Sequence, residues 1–401
     1  MTVMVDRLVH PAASTVGEGN ALLRAAAAAG HGTRVRELLD NGWSESARED
    51  VELMLWAADY GAYQVIHNRL DEHTTKPMLR IARAWVGVDP IAELRRRLGD
   101  ATAVVQRQRV PVDEYDHTEC IRVTAADGRW AEVQTAHLAI VTYIEERLGI
   151  GASRDELMAR ALMDRDPDSV NWSESWHSVT SKPDVEGTLH WAGTVLTDAD
   201  PDARRFAADV VHLLAINQED PWPEDILSVL HTRLSVEPDP GVLIHLIIAF
   251  SNYHLGLPPE ILVHAEHPDP QVRSQVAHEH YASLSGTRAV PEAVESLAKL
   301  AQDPDGRVRA TALTTFRDHA FDHPVTKRLI AAGRDDSDPR VRVEALAGLA
   351  RGGDTAAYAE LRQLGDEAGE GSYLAMMADN AKGWLNKLAA AQAPPPPAQR
   401  E

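Results

Sequence analysis

Cysteine is almost absent from this sequence, which has one such residue, Cys120, among 401. A single thiol excludes an internal disulfide framework and fits a reducing compartment. Long apolar runs are absent as well: the most apolar stretch, Val242 to Phe250, has nine residues and includes a histidine. A membrane-spanning helix needs about 20 apolar residues, and the first residues have no apolar core of signal-peptide length. We therefore expect a cytoplasmic protein that does not insert into membranes.

Positive charge is scarce. There are 40 basic side chains against 61 acidic ones, a formal net charge of −21, and only six of the basic residues are lysine. The longest basic run is Arg95 to Arg97. A negative field of this size disfavours a broad phosphate-binding face, so nucleic acid is not an expected partner. Arginine suits fixed, bidentate pairing with carboxylates instead.

Motifs of catalysis and cofactor binding are also lacking: there is no nucleophile elbow, phosphate-binding loop, dinucleotide fingerprint or metalloprotease helix. Eighteen histidines make metal binding an alternative to weigh. His264 and His267 are three residues apart, whereas His278 and His280 are two apart, a spacing that points two rings in different directions on a helix. We interpret these four as solvated or capping side chains and predict no metal site and no cofactor.

One other pair resembles a catalytic site. His117 and Cys120 are three residues apart and would share a face of a helix, but a nucleophile and its base also need a third group that orients the base. We interpret Cys120 as a small buried residue beside a surface imidazole. The sequence therefore predicts no catalytic residue.

The sequence does contain a segment that occurs five times. Successive copies follow one another at intervals of about 30 to 40 residues, a period typical of solenoids. In a solenoid one structural unit cannot bury its own apolar face, so units stack. The five copies are "DADPDARRFAADVV" from Asp198, "EPDPGVLIHLIIAF" from Glu237, "HPDPQVRSQVAHEH" from His267, "DPDGRVRATALTTF" from Asp303 and "DSDPRVRVEALAGLA" from Asp336.

Each repeat predicts a pair of helices. Asp338 can cap a helix while Pro339 occupies its first turn, where the missing N–H costs nothing. A second amphipathic segment follows, for example Val290 to Gln302 and His323 to Gly333, and we find no useful alternation with period two. We expect stacked helical hairpins and almost no strand. In the last copy the apolar residues at helical spacing are Val341, Ala345, Leu346 and Leu349.

The pattern Asp-x-Asp-Pro-x-Val-Arg-x-x-Ala resembles HEAT repeats, particularly the short type first recognised in phycobilin lyases. Arg273, Arg309 and Arg342 match its arginine, and Leu243 departs from it. The resemblance implies that these arginines and the loop aspartates pair along the stack as a ladder. It therefore implies structural roles for four acids: Asp303, Asp305, Asp336 and Asp338.

The N-terminal part has a different repeat. Ala21 to Gly42 resembles one ankyrin repeat, and Glu52 to His73 repeats its pattern, with Gly61 in the place of Gly30. The usual Thr-Pro-Leu-His opening is missing from both. A weaker third pair of helices is predicted at Met78 to Gly99.

We therefore predict an all-α fold, a right-handed α-solenoid of stacked helical hairpins that is first ankyrin-like and then HEAT-like. In the connector, an amphipathic helix ends at Gly149 and Ser153 caps the next one. The predicted segments are a flexible N-terminus at 1–18, ankyrin-like repeats at 19–100, an irregular helical connector at 101–190, HEAT-like repeats at 191–390 and a disordered Pro-rich tail at 391–401.

Tryptophan is unusually frequent, with nine residues against four phenylalanines. Trp172 and Trp176 are four apart and can share a helical face. They can form the core of an irregular junction, a patch for a protein partner, or a pocket that stacks a base or a ligand. The last alternative matters because HEAT-like alkylpurine DNA glycosylases place aromatic residues on their concave face. Those enzymes also need a basic channel, and this sequence shows no matching concentration of basic residues.

These patterns favour a non-enzymatic scaffold that binds a protein or peptide on the concave face of the solenoid. The alternative is a HEAT-like enzyme acting on nucleic acid or a small ligand, similar to a DNA glycosylase, near Trp172 and Trp176. Phycobilin lyase activity does not follow, because many proteins without it share the repeat. The second helix of each hairpin is expected to line the groove, with these candidate binding residues off the apolar stripe: Glu295, Lys299, Lys327, Arg328, Tyr358 and Arg362.

Overall fold

A computed structural model describes residues 21–22, 24–26, 51–217, 221–254, 257–284, 291–369 and 372–392. It is mostly helical, with 67% helix, as predicted, and its described part contains 20 α-helices with defined bounds. The predicted N-terminus at 1–18, most of the first ankyrin-like segment and residues 393–401 of the predicted tail lie outside the described residues. The chain forms two compact units, residues 1–210 and 211–401.

The first unit begins, where its bounds are described, with four helices. The second and third ankyrin-like segments correspond to α1 with α2 and to α3 with α4; their membership of the ankyrin class stays a prediction. Gly61, between the first two, has a φ of +78°, and a Cβ there would lie 2.1 Å from the Gln134 carbonyl oxygen. Only glycine fits this turn. The helices are α1 (Val51–Tyr60), α2 (Tyr63–Ile66), α3 (Thr75–Arg83) and α4 (Pro90–Leu98).

An antiparallel sheet follows α4 and corrects the all-α prediction. Its strands, β1 (Val104–Pro111), β2 (His117–Thr124) and β3 (Trp130–Gln134), lie in the order β1-β2-β3. The connector predicted at 101–190 is therefore not helical over this stretch. The strands left little signal in the sequence, because most of β1 is exposed and the alternation of polar and apolar residues is brief, at Ile121 and Val123.

One face of the sheet packs on α4. Ile121, Val123 and Val133 form a small buried cluster with Leu94 and Leu98. Cross-strand pairing places Ile121 directly opposite Val133. The strands are held by tertiary burial, which a helix at the same residues would not provide.

The rest of the first unit is helical. The predicted amphipathic helix is present as α5, although the first two residues of the predicted segment belong to β3. Ser153 accepts a hydrogen bond from the backbone N–H of Glu156, which confirms the predicted cap. The last helix, α9, contains the division between the two units. The helices are α5 (His137–Arg147), α6 (Arg154–Ala161), α7 (Val170–Thr180), α8 (Val185–Val195) and α9 (Pro201–Ile216).

The second unit is a stack of helical hairpins. The helices that begin at the repeated motif, α11, α13, α16 and α18, pack on one another in sequence, and the intervening helices pack beside them. The helices are α10 (Glu224–Val236), α11 (Pro240–His254), α12 (Pro259–Leu262), α13 (Pro270–Glu279), α14 (Tyr281–Leu284), α15 (Pro291–Leu300), α16 (Gly306–His319), α17 (Pro324–Gly333), α18 (Pro339–Arg351), α19 (Thr355–Ala368) and α20 (Tyr373–Gln392); a 3₁₀ turn spans Val263–Glu266.

The repeated motif starts its helices as predicted. The Asp338 carboxylate accepts the backbone N–H of Arg340, and Pro339 stands in the first turn. Asp269 and Asp305 cap α13 and α16 in the same way. In one copy Gly306 replaces the proline. A side chain does not fit there, because a Cβ on Gly306 would lie 1.9 Å from an Asp338 carboxylate oxygen.

Candidate interaction surface

The arginines of the repeat join successive turns of the second unit. Arg273 donates from Nε and Nη2 to the two oxygens of Asp303, each at 2.7 Å, and its Nη1 donates to the His267 carbonyl. Arg309 repeats the arrangement with Asp336 at 2.8 and 2.6 Å. Both are bidentate pairs between one motif and the next.

These pairs help to lower the pKa of each of the two carboxyl groups. Burial acts to raise the pKa of Asp303, but the hydrogen bonds from Arg273 and from the Asp305 backbone N–H, together with the charges of Arg273 and Arg309, outweigh it, and the pKa lies below its ordinary value. At Asp336 the hydrogen bonds from Arg309 dominate and lower the pKa. Both carboxylates are therefore held ionised. The geometry is what a ladder requires, and its contribution to stability stays a prediction.

The other predicted ladder residues have different contacts. Arg342 donates through Nη1 to the carbonyls of Asp336 and Ser337, and no carboxylate lies against it among the described residues. Asp305 and Asp338 cap helices instead of joining turns, and a hydrogen bond from Arg340 lowers the pKa of Asp338 to about 2. Two rungs of the ladder, Arg273 with Asp303 and Arg309 with Asp336, are thus complete bidentate pairs.

The candidate binding residues of the second helices are mostly exposed. Glu295 and Lys299 form an exposed pair at 3.5 Å along α15. On α17, Lys327 lies 3.4 Å from Asp322, and Arg328 is exposed. Such pairs contribute little to stability, so their side chains remain available to a partner.

The last two candidates, Tyr358 and Arg362, meet at a depression of about 330 Å³ between α19 and α20. The helices approach closely there, as a Cβ added to Gly365 would lie only 3.1 Å from Ala375. Tyr358 is half-buried in the adjoining core, whereas the Arg362 side chain is 65% exposed. The full lining is Tyr358, Arg362, Gly365, Asp366, Gly369, Ala375, Ala378, Asp379 and Lys382.

Sequence reasoning missed three charged residues of this depression: Asp366, Asp379 and Lys382. The signal was present in α20, since Asp379 and Lys382 alternate with buried residues of its apolar stripe, Met377 and Ala381. The depression carries two basic and two acidic side chains, counting Arg362. It can therefore take a ligand group of either charge beside an aromatic ring.

Trp172 and Trp176 belong to the first unit, whereas the six other candidates belong to the second. The Trp172 ring is 1% exposed, packs edge-to-face on Phe206 and donates its Nε1–H to Asp209 at 2.8 Å. It has no free face on which to stack a base or contact a partner. Trp176 is half-buried and stacks on His177. The position of Trp172 agrees with the core alternative and removes it from the binding surface.

His117 and Cys120 lie on β2, not on a helix, and their odd spacing puts them on opposite faces of the sheet. Burial raises the pKa of Cys120, whose Sγ lies 3.9 Å from the Tyr60 hydroxyl. His117 bonds to Asp166 instead, at 2.8 Å. The two residues therefore cannot act as a nucleophile and its base.

The histidine pairs are not arranged as a metal centre. The rings of His264 and His267 are 6.2 Å apart between centroids. Across the ranges that the structure describes, no group of three or more His, Cys, Asp or Glu residues is placed to hold a metal ion. In the same ranges no helix combines the length and the apolar character needed to cross a bilayer.

Residues 257–350 match the family of HEAT repeats. The matched residues span α12 to α18 of the second unit and include the pairs of Arg273 with Asp303 and of Arg309 with Asp336. The phycobilin-lyase subtype stays a prediction.

Solved structures with similar chains include the YibA protein of E. coli, which is 18% identical, with a TM-score of 0.44 over 61% of this chain and 87% of that chain. An engineered protein is also 18% identical, with a TM-score of 0.30 over 50% of this chain and 96% of that chain. No curated protein matches the chain.

Proposed function

We propose that the HEAT repeats bind a protein or peptide partner and that the protein is a non-enzymatic adaptor. The observation that carries this proposal is the HEAT-repeat stack itself, whose second helices present exposed side chains from α15 to α19. Stacked repeats create extended binding surfaces because each hairpin adds one more row of side chains. The cytoplasm is the proposed compartment.

The depression between α19 and α20 is the proposed anchoring point of the partner. Tyrosine and arginine are among the residue types that most often dominate binding energy, and Tyr358 and Arg362 occur together there. Asp366 and Asp379 add acceptors, so a basic or amide-bearing side chain of the partner is suited to the same depression. The exposed charges of α15 and α17 extend the surface beyond it.

The alternative, an enzyme acting on nucleic acid or a small ligand near Trp172 and Trp176, is not favoured. Such a site needs an aromatic face open to the substrate. Trp172 is buried against Phe206.

Charge reversal at the depression tests the adaptor proposal. Arg362→Glu with Lys382→Glu should reduce capture of the partner from native cells at least tenfold, measured by quantitative mass spectrometry of affinity-purified complexes. The matched control is Lys76→Glu with Arg80→Glu on α3, which reverses two exposed charges in the other unit. The thermal transition of both double variants should match the parent.

Two outcomes would contradict the proposal. In one, the captured proteins are the same for the parent, for the depression variant and for Lys327→Glu with Arg328→Glu. The other is turnover of a nucleic acid or small molecule by the purified protein.

A further inference from the structure

The strand β1 is an open edge of the sheet in the first unit. It is eight residues long, and most of its residues from Val104 to Pro111 are exposed. In the part of the chain that the structure describes, its only sheet neighbour is β2. In an antiparallel pair, alternate backbone groups of an edge strand point away from the neighbour. Within the described residues, the backbone of β1 makes no hydrogen bond on that outer side.

Two arginines stand at alternate positions of this edge and keep unused donors. Among the described residues, Arg107 donates only from Nη1, to Glu119 at 2.8 Å. Arg109 there donates only from Nη2, to His117 at 2.8 Å and to Asp168 at 3.1 Å. Each guanidinium therefore has two further nitrogens for another acceptor. The side chains are 55% and 59% exposed.

Arg107 and Arg109 are two residues apart on β1, so their side chains face the same side of the sheet. Their partners across β2 are Ile121 and Glu119. Both arginines line a depression of about 410 Å³, together with the acids Glu119, Asp164 and Asp166. Glu119, which accepts from Arg107, belongs to β2 and so lies on the inner side of β1. Asp166 and Asp168 lie near Arg109, and the Asp168 carboxylate accepts from its Nη2.

A second copy of β1 is a poor occupant of the edge. Antiparallel pairing of two such strands about their centre would place Arg107 opposite its own copy or opposite Arg109. Like charges directly opposite each other destabilise a strand pair. Carboxylates at the same positions of an added strand would instead lie within reach of the unused donors.

We propose that the outer edge of β1 binds an extended peptide that adds to the sheet as a fourth strand, with acidic side chains at alternate positions beside Arg107 and Arg109. Backbone hydrogen bonds hold the peptide, and the two arginines select its charge. The site lies in the first unit and is separate from the surface proposed for the HEAT repeats.

Labelled synthetic peptides test this site. The probe is a ten-residue peptide with glutamate at alternate positions between valine and threonine, and two matched peptides carry glutamine or lysine instead. Fluorescence anisotropy should show the glutamate peptide binding at least tenfold more tightly than the lysine peptide. Arg107→Glu with Arg109→Glu should reverse this order. Arg80→Glu on α3 should leave it unchanged.

Backbone pairing is tested separately. Two versions of the glutamate peptide carry N-methyl groups on one or the other alternate set of residues. One version should lose binding and the other retain it, because only one set of N–H groups faces β1. Hydrogen exchange of residues 104–111 should slow when the parent peptide binds. If the Glu/Glu variant fails to fold, Arg107→Gln with Arg109→Gln replaces it, and loss of the glutamate preference is expected.

Three results would overturn the proposal. Equal binding of the glutamate and lysine peptides would remove the role of the arginines. Full binding of both N-methylated peptides would show attraction without strand addition. Self-association of the protein that the Arg107 and Arg109 substitutions alter, with no peptide binding, would make a second copy the occupant.

Discussion

At the scale of single residues, the first unit contains two carboxyl groups in unusual surroundings. Tyr63 donates its hydroxyl to Glu174, and Ser173 donates to Asp116 at 2.5 Å. Burial is the main reason that the pKa of Glu174 is raised to about 7 and that of Asp116 to about 6. No sequence pattern pointed to these residues, because the groups that surround them come from α2, α7 and the turn after β1.

These shifts predict a pH dependence of stability. In the unfolded chain Glu174 ionises at about pH 4.3, whereas in the folded protein it keeps its proton to about pH 7. The folded state therefore binds more protons in that interval, and its stability falls as the pH rises from about 4 to about 8. Glu174→Gln should remove this loss, so the variant should gain stability relative to the parent as the pH rises. Urea unfolding at several pH values measures the difference.

The control for this prediction is Glu114→Gln, at an exposed glutamate of the turn between β1 and β2. Its difference from the parent should stay constant across the same pH range. A constant difference for Glu174→Gln as well would show that the folded pKa of Glu174 is not raised.

Trp172 gives a second prediction at the residue scale. Its ring is buried, so Trp172→Ala should lower the free energy of unfolding by about 3 to 5 kcal/mol. Trp176→Ala should cost less, because Trp176 is only half-buried. Urea unfolding followed by circular dichroism checks both values. A parent-like stability of Trp172→Ala would return that residue to the candidate binding surface.

At the scale of elements, the repeated motif has two tasks. Its aspartates cap α13, α16 and α18, and the arginines of α13 and α16 pair with Asp303 and Asp336 of the following copies. The capping role was readable from the sequence, since cap and helix are adjacent in the chain. The open end of the ladder at Arg342 was not, because its contacts depend on where the next turn lies.

The ladder predicts unequal effects of arginine substitutions. Arg309→Ala breaks a bidentate pair in which both side chains are largely buried and should lower stability by about 1 to 3 kcal/mol. Arg342→Ala should cost less, because Arg342 bonds only to carbonyl groups among the described residues. Thermal and urea unfolding measure these differences.

Arg340→Ala is the matched control for the ladder. Arg340 pairs with Asp338 within one turn, and its side chain is largely exposed. Its loss should therefore cost less than about 1 kcal/mol. Equal effects of the three substitutions would contradict a ladder that acts through its carboxylate pairs.

At the scale of the whole molecule, more of the fold could be predicted from the sequence in the second unit than in the first. In the second unit the repeat period predicted stacked hairpins, and residues 257–350 match HEAT repeats. In the first unit the same approach missed the sheet at residues 104–134 and therefore the edge strand β1. Each unit has a proposed surface for polypeptide partners, one on the second helices and one along β1.

Features that depend on neighbours along the chain were readable from the amino-acid sequence: helical periodicity, the aspartate caps, the regular recurrence of the Asp-Pro motif and the exposure of the charged candidates on α15 and α17. Features that depend on distant partners emerged only with the fold. The three strands form because Ile121, Val123 and Val133 find a buried place on α4, and Trp172 is core because Phe206 and Asp209 lie against its ring. Burial and pairing between residues far apart in the chain leave no periodic signal, so they could not be read before the fold was known.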